Sequence, residues 1–262
     1  HEKALLYFQK ALRFKHGFPF NENSKNFFCQ EIDETKELIT GKHKIKHDIE
    51  QLEYLLANNK LPDIFEKILN NYKTLYKELE VKHNNSFLIT LKGNQKELLE
   101  ETYERNLYLE NEEFINGNII NPLLDFNNIE QEYLAKKHEV IYFDNFLTQE
   151  ALNYIREFCL SSTIWHEYKR SWGYLASYMD NGFSSNFLFD LSKDIKEKFP
   201  QIFKNYTLMN IWAFKYDSSM SGVLVHADEA MINLNFWITV DSANLDKNSG
   251  GLVVYDKEAP QN

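Results

Sequence analysis

Cysteine, proline and glycine are scarce in this sequence, at 2, 5 and 9 of 262 residues. The two cysteines, Cys29 and Cys159, lie far apart and do not make the disulfide framework of a small secreted scaffold. So little glycine and proline excludes collagen-like, elastic and linker-dominated chains. Long apolar runs are missing too. None approaches the roughly 20 residues of a membrane-spanning helix, so no membrane partner is expected. Basic charge is in deficit: 29 Lys and Arg stand against 39 Asp and Glu, for a net charge of −10. The acidity is spread along the chain and offers no basic face to a phosphate backbone, which argues against nucleic acid as a partner. His1-Glu2-Lys3 is neither an initiator Met nor a signal-peptide start, and it reads as a cut inside a longer protein. A reducing cytoplasm is the expected compartment.

What the chain does have is apolar and aromatic weight. Hydrophobic residues make up 43% and aromatics 15%, with 20 Phe and 15 Tyr, which is ample for a real core and excludes disorder as the main state. Residues 1–115 read as helices. Ala4, Leu5, Phe8, Ala11 and Leu12 recur with the period of one buried helix stripe. A second helix runs through Ile45, Ile49, Leu52, Leu55 and Leu56 and ends near Asn58-Asn59. Pro62 opens a third, with Ile64, Phe65, Ile68, Leu69, Tyr72, Leu75, Tyr76 and Leu79 on one side. The phrase Ala4 to Leu12 resembles the last helix of a tetratricopeptide repeat, although no second copy at a period of roughly 34 residues follows it. The resemblance implies a helical-repeat surface able to take a protein or peptide partner.

The pattern changes in residues 116–262. Val140–Phe143 reads as a short strand, and Thr148 as the cap of a helix from Gln149 to about Leu160. A further helix covers about Leu188–Phe199 and stops at Pro200. From Thr207 the period becomes 2, with Asn210, Trp212, Phe214 and Tyr216 on one face and Ile211, Ala213 and Lys215 on the other. Met231–Thr239 alternates again, and Gly251–Tyr255 reads as a last apolar strand. Strands following strands predict an antiparallel sheet or barrel, and with the helices before them an α+β chain.

Within that region lies Val225-His226-Ala227-Asp228. Side chains two apart on an extended chain share a face, so His226 and Asp228 can point at one atom. An imidazole beside a carboxylate, with a second His from elsewhere, makes the facial triad of non-haem Fe(II) oxygenases. Asn233, Asn235, Trp237 and Thr239 form a polar face that nevertheless holds a tryptophan. A barrel lumen would explain that mixture, and so would a wet outer face of an edge sheet.

The stretch from Trp212 to Pro260 resembles the 2-oxoglutarate/Fe(II)-dependent dioxygenase superfamily in its prolyl-hydroxylase-like branch. Trp212 to Asp217, Gly222 to Asp228, Asn233 to Thr239 and Ser249 to Tyr255 carry the likeness, and Tyr142 to Leu147 resembles the entry to such a domain. The resemblance implies an incomplete double-stranded β-helix, a jelly-roll or cupin-like barrel, after the helical region. It implies Fe(II) held by His226 and Asp228 as two of three ligands, 2-oxoglutarate bound by Tyr216, and a cosubstrate pocket lined by Asn235 and Trp237. Ascorbate is an optional reductant in such enzymes. The implied reaction hydroxylates a substrate the sequence does not identify, converting 2-oxoglutarate and O2 to succinate and CO2. The distal His and the Arg or Lys that anchors 2-oxoglutarate have no counterpart up to Asn262, so this stretch alone is expected to be inactive.

Other candidates read as structural. His43 and His47 sit at i, i+4 in the basic run Lys42 to His47, which would repel a cation and reads as a solvated face. Trp165-His166-Glu167 reads as packing with a surface charge. Neither cysteine has a His partner for thiol catalysis. The competing function is a helical-repeat interaction module whose oxygenase-like barrel does not catalyse.

Overall fold

The computed structural model describes residues 2–29, 37–82, 88–99, 101–110, 117–136, 140–168, 174–216, 225–226, 228–244 and 252–255. The fold is α+β, with small antiparallel sheets. The chain divides into two compact units, and neither is continuous in sequence. The first comprises 1–114, 157–189 and 209–229, the second 115–156, 190–208 and 230–262.

The first unit begins with helix α1 (Glu2–His16), which buries Leu5 and Leu12. Gly17, at φ 76°, closes it by returning its N–H to Arg13 O at 3.0 Å. A short helix α2 (Phe20–Asn23) and a 3₁₀ turn (Ser24–Cys29) follow. The centre of the unit is helix α3 (Lys42–Ala57) packed on helix α4 (Ile64–Lys82). Most of the expected stripes are buried, Ile45, Leu52 and Leu55 from one and Phe65, Ile68, Tyr72, Leu75 and Leu79 from the other, whereas Ile64, expected on the same side, is exposed at the first turn of α4. The break between them is specified locally. Asn59 takes φ 56°, its N–H bonds Leu56 O at 3.0 Å, and the Lys60 N–H bonds Leu55 O at 2.8 Å, a Schellman closure.

This region is not helical throughout. Strand β1 (Leu38–Thr40) precedes α3, strand β2 (Ile89–Leu91) follows α4, and the two pair antiparallel with Ile39 opposite Thr90. Helix α5 (Asn94–Leu99) then packs on α4. The irregular stretches around 106–110 and 162–164 are held by buried polar side chains. Thr163 Oγ1 accepts from the Leu107 and Tyr108 N–H groups at 2.7 and 3.0 Å, and Gln51 Nε2 donates to Leu160 O and Ser162 O. Such groups let a loop lie in the interior without orphaned backbone.

In the second unit, helix α6 (Phe126–Ala135) is capped by Asp125, whose carboxylate accepts from Asn128 N at 3.0 Å. Helix α7 (Gln149–Ser161), whose residues 149–156 belong to this unit and 157–161 to the first, is capped by Thr148, with Ala151 N bonded to its Oγ1 at 3.2 Å. Helix α8 (Asn186–Lys198), whose residues 186–189 belong to the first unit, ends just before Pro200, and the proline opens a further turn, α9 (Pro200–Phe203). Glu130, 1% exposed, accepts from the Gln201 and Ile202 N–H groups at 2.7 and 3.1 Å. A buried carboxylate thus satisfies the donors at the start of that turn. Phe126, Phe146 and Phe236 gather around it, with Phe199 the shared neighbour of the first two.

Two more strands complete the first unit. Strand β3 (Tyr174–Tyr178) pairs antiparallel with strand β4 (Trp212–Tyr216), Tyr174 opposite Tyr216 and Tyr178 opposite Trp212. The other expected strands differ. Residues 140–143, 231–239 and 252–255 enter no ladder, and among the described residues no barrel closes. Alternation marks a face, but a strand exists only where its backbone groups find a partner. Leu234 and Trp237 remain 45% and 66% exposed, so neither face of that stretch is covered by a second layer.

Candidate functional site

The site grows from the β3–β4 ribbon. Along β4, Trp212, Phe214 and Tyr216 share one face with Tyr174 and Tyr178 of β3, as the period of 2 demands. Their rings make a ladder: Tyr174 meets Phe214 edge-on at 5.2 Å and Tyr216 at 6.1 Å, while Tyr178 lies 6.5 Å from both Trp212 and Phe214. Such pairs favour this register beyond the area they bury. The opposite face of β4 turns inward. Ile211, just ahead of the strand, packs on Leu5, Met179 and Phe189. Lys215 reaches α3, where its ammonium donates to Glu50 Oε2 at 2.8 Å.

Tyr216 therefore ends a strand held on both faces, with its phenol half-exposed. His226 and Asp228 follow in the same unit; Ala227 between them lies outside the described residues. His226 Nε2 stands 3.7 Å from Asp228 Oδ1, with the two side chains 55% and 40% exposed. Asp228 also acts on Tyr216. Burial first, and then the Asp228 charge, raises the phenol's pKa above its usual value. Three of the five sequence-predicted site residues are therefore brought together: Tyr216, His226 and Asp228.

Asn235 and Trp237 belong to the second unit, on the unpaired stretch, and both are exposed. A neutral imidazole and a carboxylate are the donor types a divalent first-row metal takes. Two such donors on one cation, with bonds of about 2.1 Å, stand roughly 3 Å apart. The 3.7 Å between His226 Nε2 and Asp228 Oδ1 is near that separation, so the chemistry of this donor pair fits a divalent metal such as Fe(II). A third protein ligand is not among the described residues, where no cluster of three or more His, Cys, Asp or Glu could hold a metal.

Several contributors were not singled out from the sequence. Tyr174 and Tyr178 have a signal, aromatics four apart before the turn at Asn181-Gly182, but no flanking pattern declares them a strand. His47 is a correction. It is 5% exposed and not part of a solvated face, because α3 turns Lys44 and His47 inward with Ile45 and Gln51. Its Nδ1 lies 3.0 Å from Lys215 Nζ. His43, half-buried, meets the Tyr168 carbonyl at 3.0 Å. His166 is buried packing, stacked on His16 with ring centres 3.5 Å apart. Burial raises the Cys159 thiol to about 12, which leaves no thiolate for catalysis at neutral pH. A cavity of about 100 Å³ in the first unit, between Gln9, Arg13, Glu22, Glu110 and Ser184, is too small for a cosubstrate.

Comparison with protein-family models, with curated proteins and with solved structures finds no match.

Proposed function

We propose that the protein is an Fe(II)- and 2-oxoglutarate-dependent dioxygenase that hydroxylates a substrate of its own, its β3–β4 ribbon being the first pair of a double-stranded β-helix. The observation that carries this reading is the meeting of Tyr216, His226 and Asp228 at the end of β4, since the sequence resemblance assigns a role to each of the three. His226 Nε2 and an Asp228 carboxylate oxygen would hold the metal. With both bound, iron and 2-oxoglutarate would supply, by consuming O2 and a substrate C–H bond, the oxidative decarboxylation that yields succinate, CO2 and a hydroxylated product.

The chain's own residues prepare that chemistry. The raised pKa keeps the Tyr216 phenol protonated, so its O–H can donate to a cosubstrate carboxylate. The aromatic ladder and the Lys215 anchor hold that phenol on a fixed strand, which is what orienting a cosubstrate requires. Phe214 and Tyr174 put apolar ring surface beside it. Asn235 and Trp237 are assigned to the cosubstrate pocket by the resemblance alone.

Exposed apolar side chains on the helices, Phe14 at 92% and Val81 at 84%, favour a second reading in which the helical region is an interaction module and the strands do not catalyse. Turnover separates the two. The full-length protein should convert 2-oxoglutarate to succinate with Fe(II) and stop when the metal is chelated. An absence of turnover, with and without candidate substrates, would favour the interaction module.

A further inference from the structure

Helix α3 carries the run Lys42-His43-Lys44-Ile45-Lys46-His47, and its last histidine ends in the interior. The His47 Nδ1 faces the Lys215 ammonium at 3.0 Å, and the same ammonium donates to Glu50 Oε2, three residues further along α3, at 2.8 Å. An ammonium has no lone pair. In that contact His47 must therefore be neutral, with Nδ1 as the acceptor and its proton on Nε2. Unlike the Lys215–Glu50 ion pair, this bond exists in only one protonation state of the ring.

The charges around His47 reinforce that condition. From β4 it faces Lys215, and from its own helix Lys44 and His43. Gln51 lies beside it and pulls the other way. The Trp165 ring meets it edge-on with ring centres 5.7 Å apart, and His166 is another buried imidazole, which feels the charge of His47. Glu50 is the carboxylate in contact with Lys215, and Asp48 is taken by Lys44 at 2.5 Å. Burial first, then Lys215 and Lys44, hold the imidazole well below its usual pKa.

We propose that His47 is a proton-operated latch on strand β4: neutral, it accepts from Lys215 and holds the strand on helix α3; protonated, it repels Lys215 and loosens the strand. Acid therefore opens the latch and neutral pH closes it. Lys215 and Tyr216 are consecutive and point to opposite faces, so loosening the strand also frees the phenol. The latch rests on the packing of α3 and β4 and stands whether or not Tyr216 binds 2-oxoglutarate.

The test is a histidine-imidazole NMR titration of the full chain and of Lys215→Met, combined with amide hydrogen exchange of residues 212–216. His47 should stay neutral well below the ordinary histidine range, and Lys215→Met should raise its pKa by removing the facing cation. Once His47 begins to titrate, exchange at 212–216, corrected for its intrinsic pH dependence and referred to α4 amides, should accelerate by up to roughly tenfold per pH unit. His47→Gln keeps an uncharged acceptor and should abolish that acceleration. The latch is refuted if Lys215→Met leaves the His47 titration unmoved, or if His47→Gln responds to acid as the parent chain does. Should His47→Gln fail to fold, the Lys215→Met titration decides alone.

Discussion

Acidification should destabilise this protein before its carboxylates titrate. Three histidines, His16, His47 and His166, are held below their usual pKa, with burial the first cause in each. His166 is 8% exposed, and neither ring nitrogen has a hydrogen-bond partner among the described residues. His16, stacked on it, meets the Glu104 carbonyl at 2.7 Å through Nδ1. The sign follows from which state takes the proton first. In the unfolded chain each ring protonates near about 6.5, while the folded protein resists. The stabilising contribution is therefore fully present above that pH and falls away as the pH drops below it. Each resisting ring costs about 1.4 kcal/mol per pH unit. His47 and His166, both held well below the usual histidine range, carry the larger part of this loss, set against roughly 5–15 kcal/mol for a typical domain. His16, whose shift is smaller, adds to this. The buried Asp48 carboxyl works in the opposite sense, because its raised pKa lets the folded state take a proton first, which offsets part of the loss towards the acid end. Urea unfolding followed by tryptophan fluorescence at pH 7.5, 6.5, 5.5 and 5.0 measures the slope. Stability that is flat or rising from 7.5 to 5.0 would refute the reasoning, and His166→Asn should make the slope shallower by about one proton.

Substitutions at three further positions probe separate parts of the account. Gly182 sits at φ 108°, and an added Cβ would meet Ile164 Cγ2 at 2.6 Å and Leu12 at 3.2 Å. Gly182→Ala should lower stability by about 2–4 kcal/mol in the same urea assay. Glu130→Ala orphans two N–H groups at the start of α9 and should cost about 2–4 kcal/mol, while Glu130→Gln, which keeps one acceptor, should cost about 1. Tyr216→Phe should raise the KM for 2-oxoglutarate roughly tenfold with little change in stability, the value of one hydrogen bond from a half-exposed phenol.

The helices were legible in the sequence wherever a buried stripe and its punctuation agreed. Ile45, Leu52 and Leu55 on α3 and Phe65 to Leu79 on α4 are buried as their spacing requires, and Thr148 caps α7 through its hydroxyl. The two faces of β4 were legible too, since a period of 2 sorts Lys215 from Tyr216 without knowledge of the partner. Which strand pairs with β4 was not. Pairing is a long-range choice, and Tyr174 lies 42 positions before its partner Tyr216. Residues 231–239 show the same limit from the other side, because alternation there exists without a ladder. His47 was misread for a related reason. A basic run predicts solvent when charges are counted one helix at a time, but Asp48 pairs with Lys44 in the interior, and β4 brings Lys215 over His47 with its ammonium held at the edge by the exposed Glu50. In the site, the two-residue spacing let His226 and Asp228 approach each other, to 3.7 Å, while Tyr216 was singled out by the family resemblance alone. Asn235 and Trp237 depend on a sheet that the described residues do not form.

The most direct measurement is Fe(II)-dependent formation of succinate from 2-oxoglutarate by the full-length protein, compared with His226→Ala of the same thermal stability. The account predicts turnover that chelation abolishes and that His226→Ala lowers by roughly a hundredfold or more, since even partners one shell outside a metal ligand are worth 10–100-fold. Succinate formed equally well by His226→Ala would contradict it.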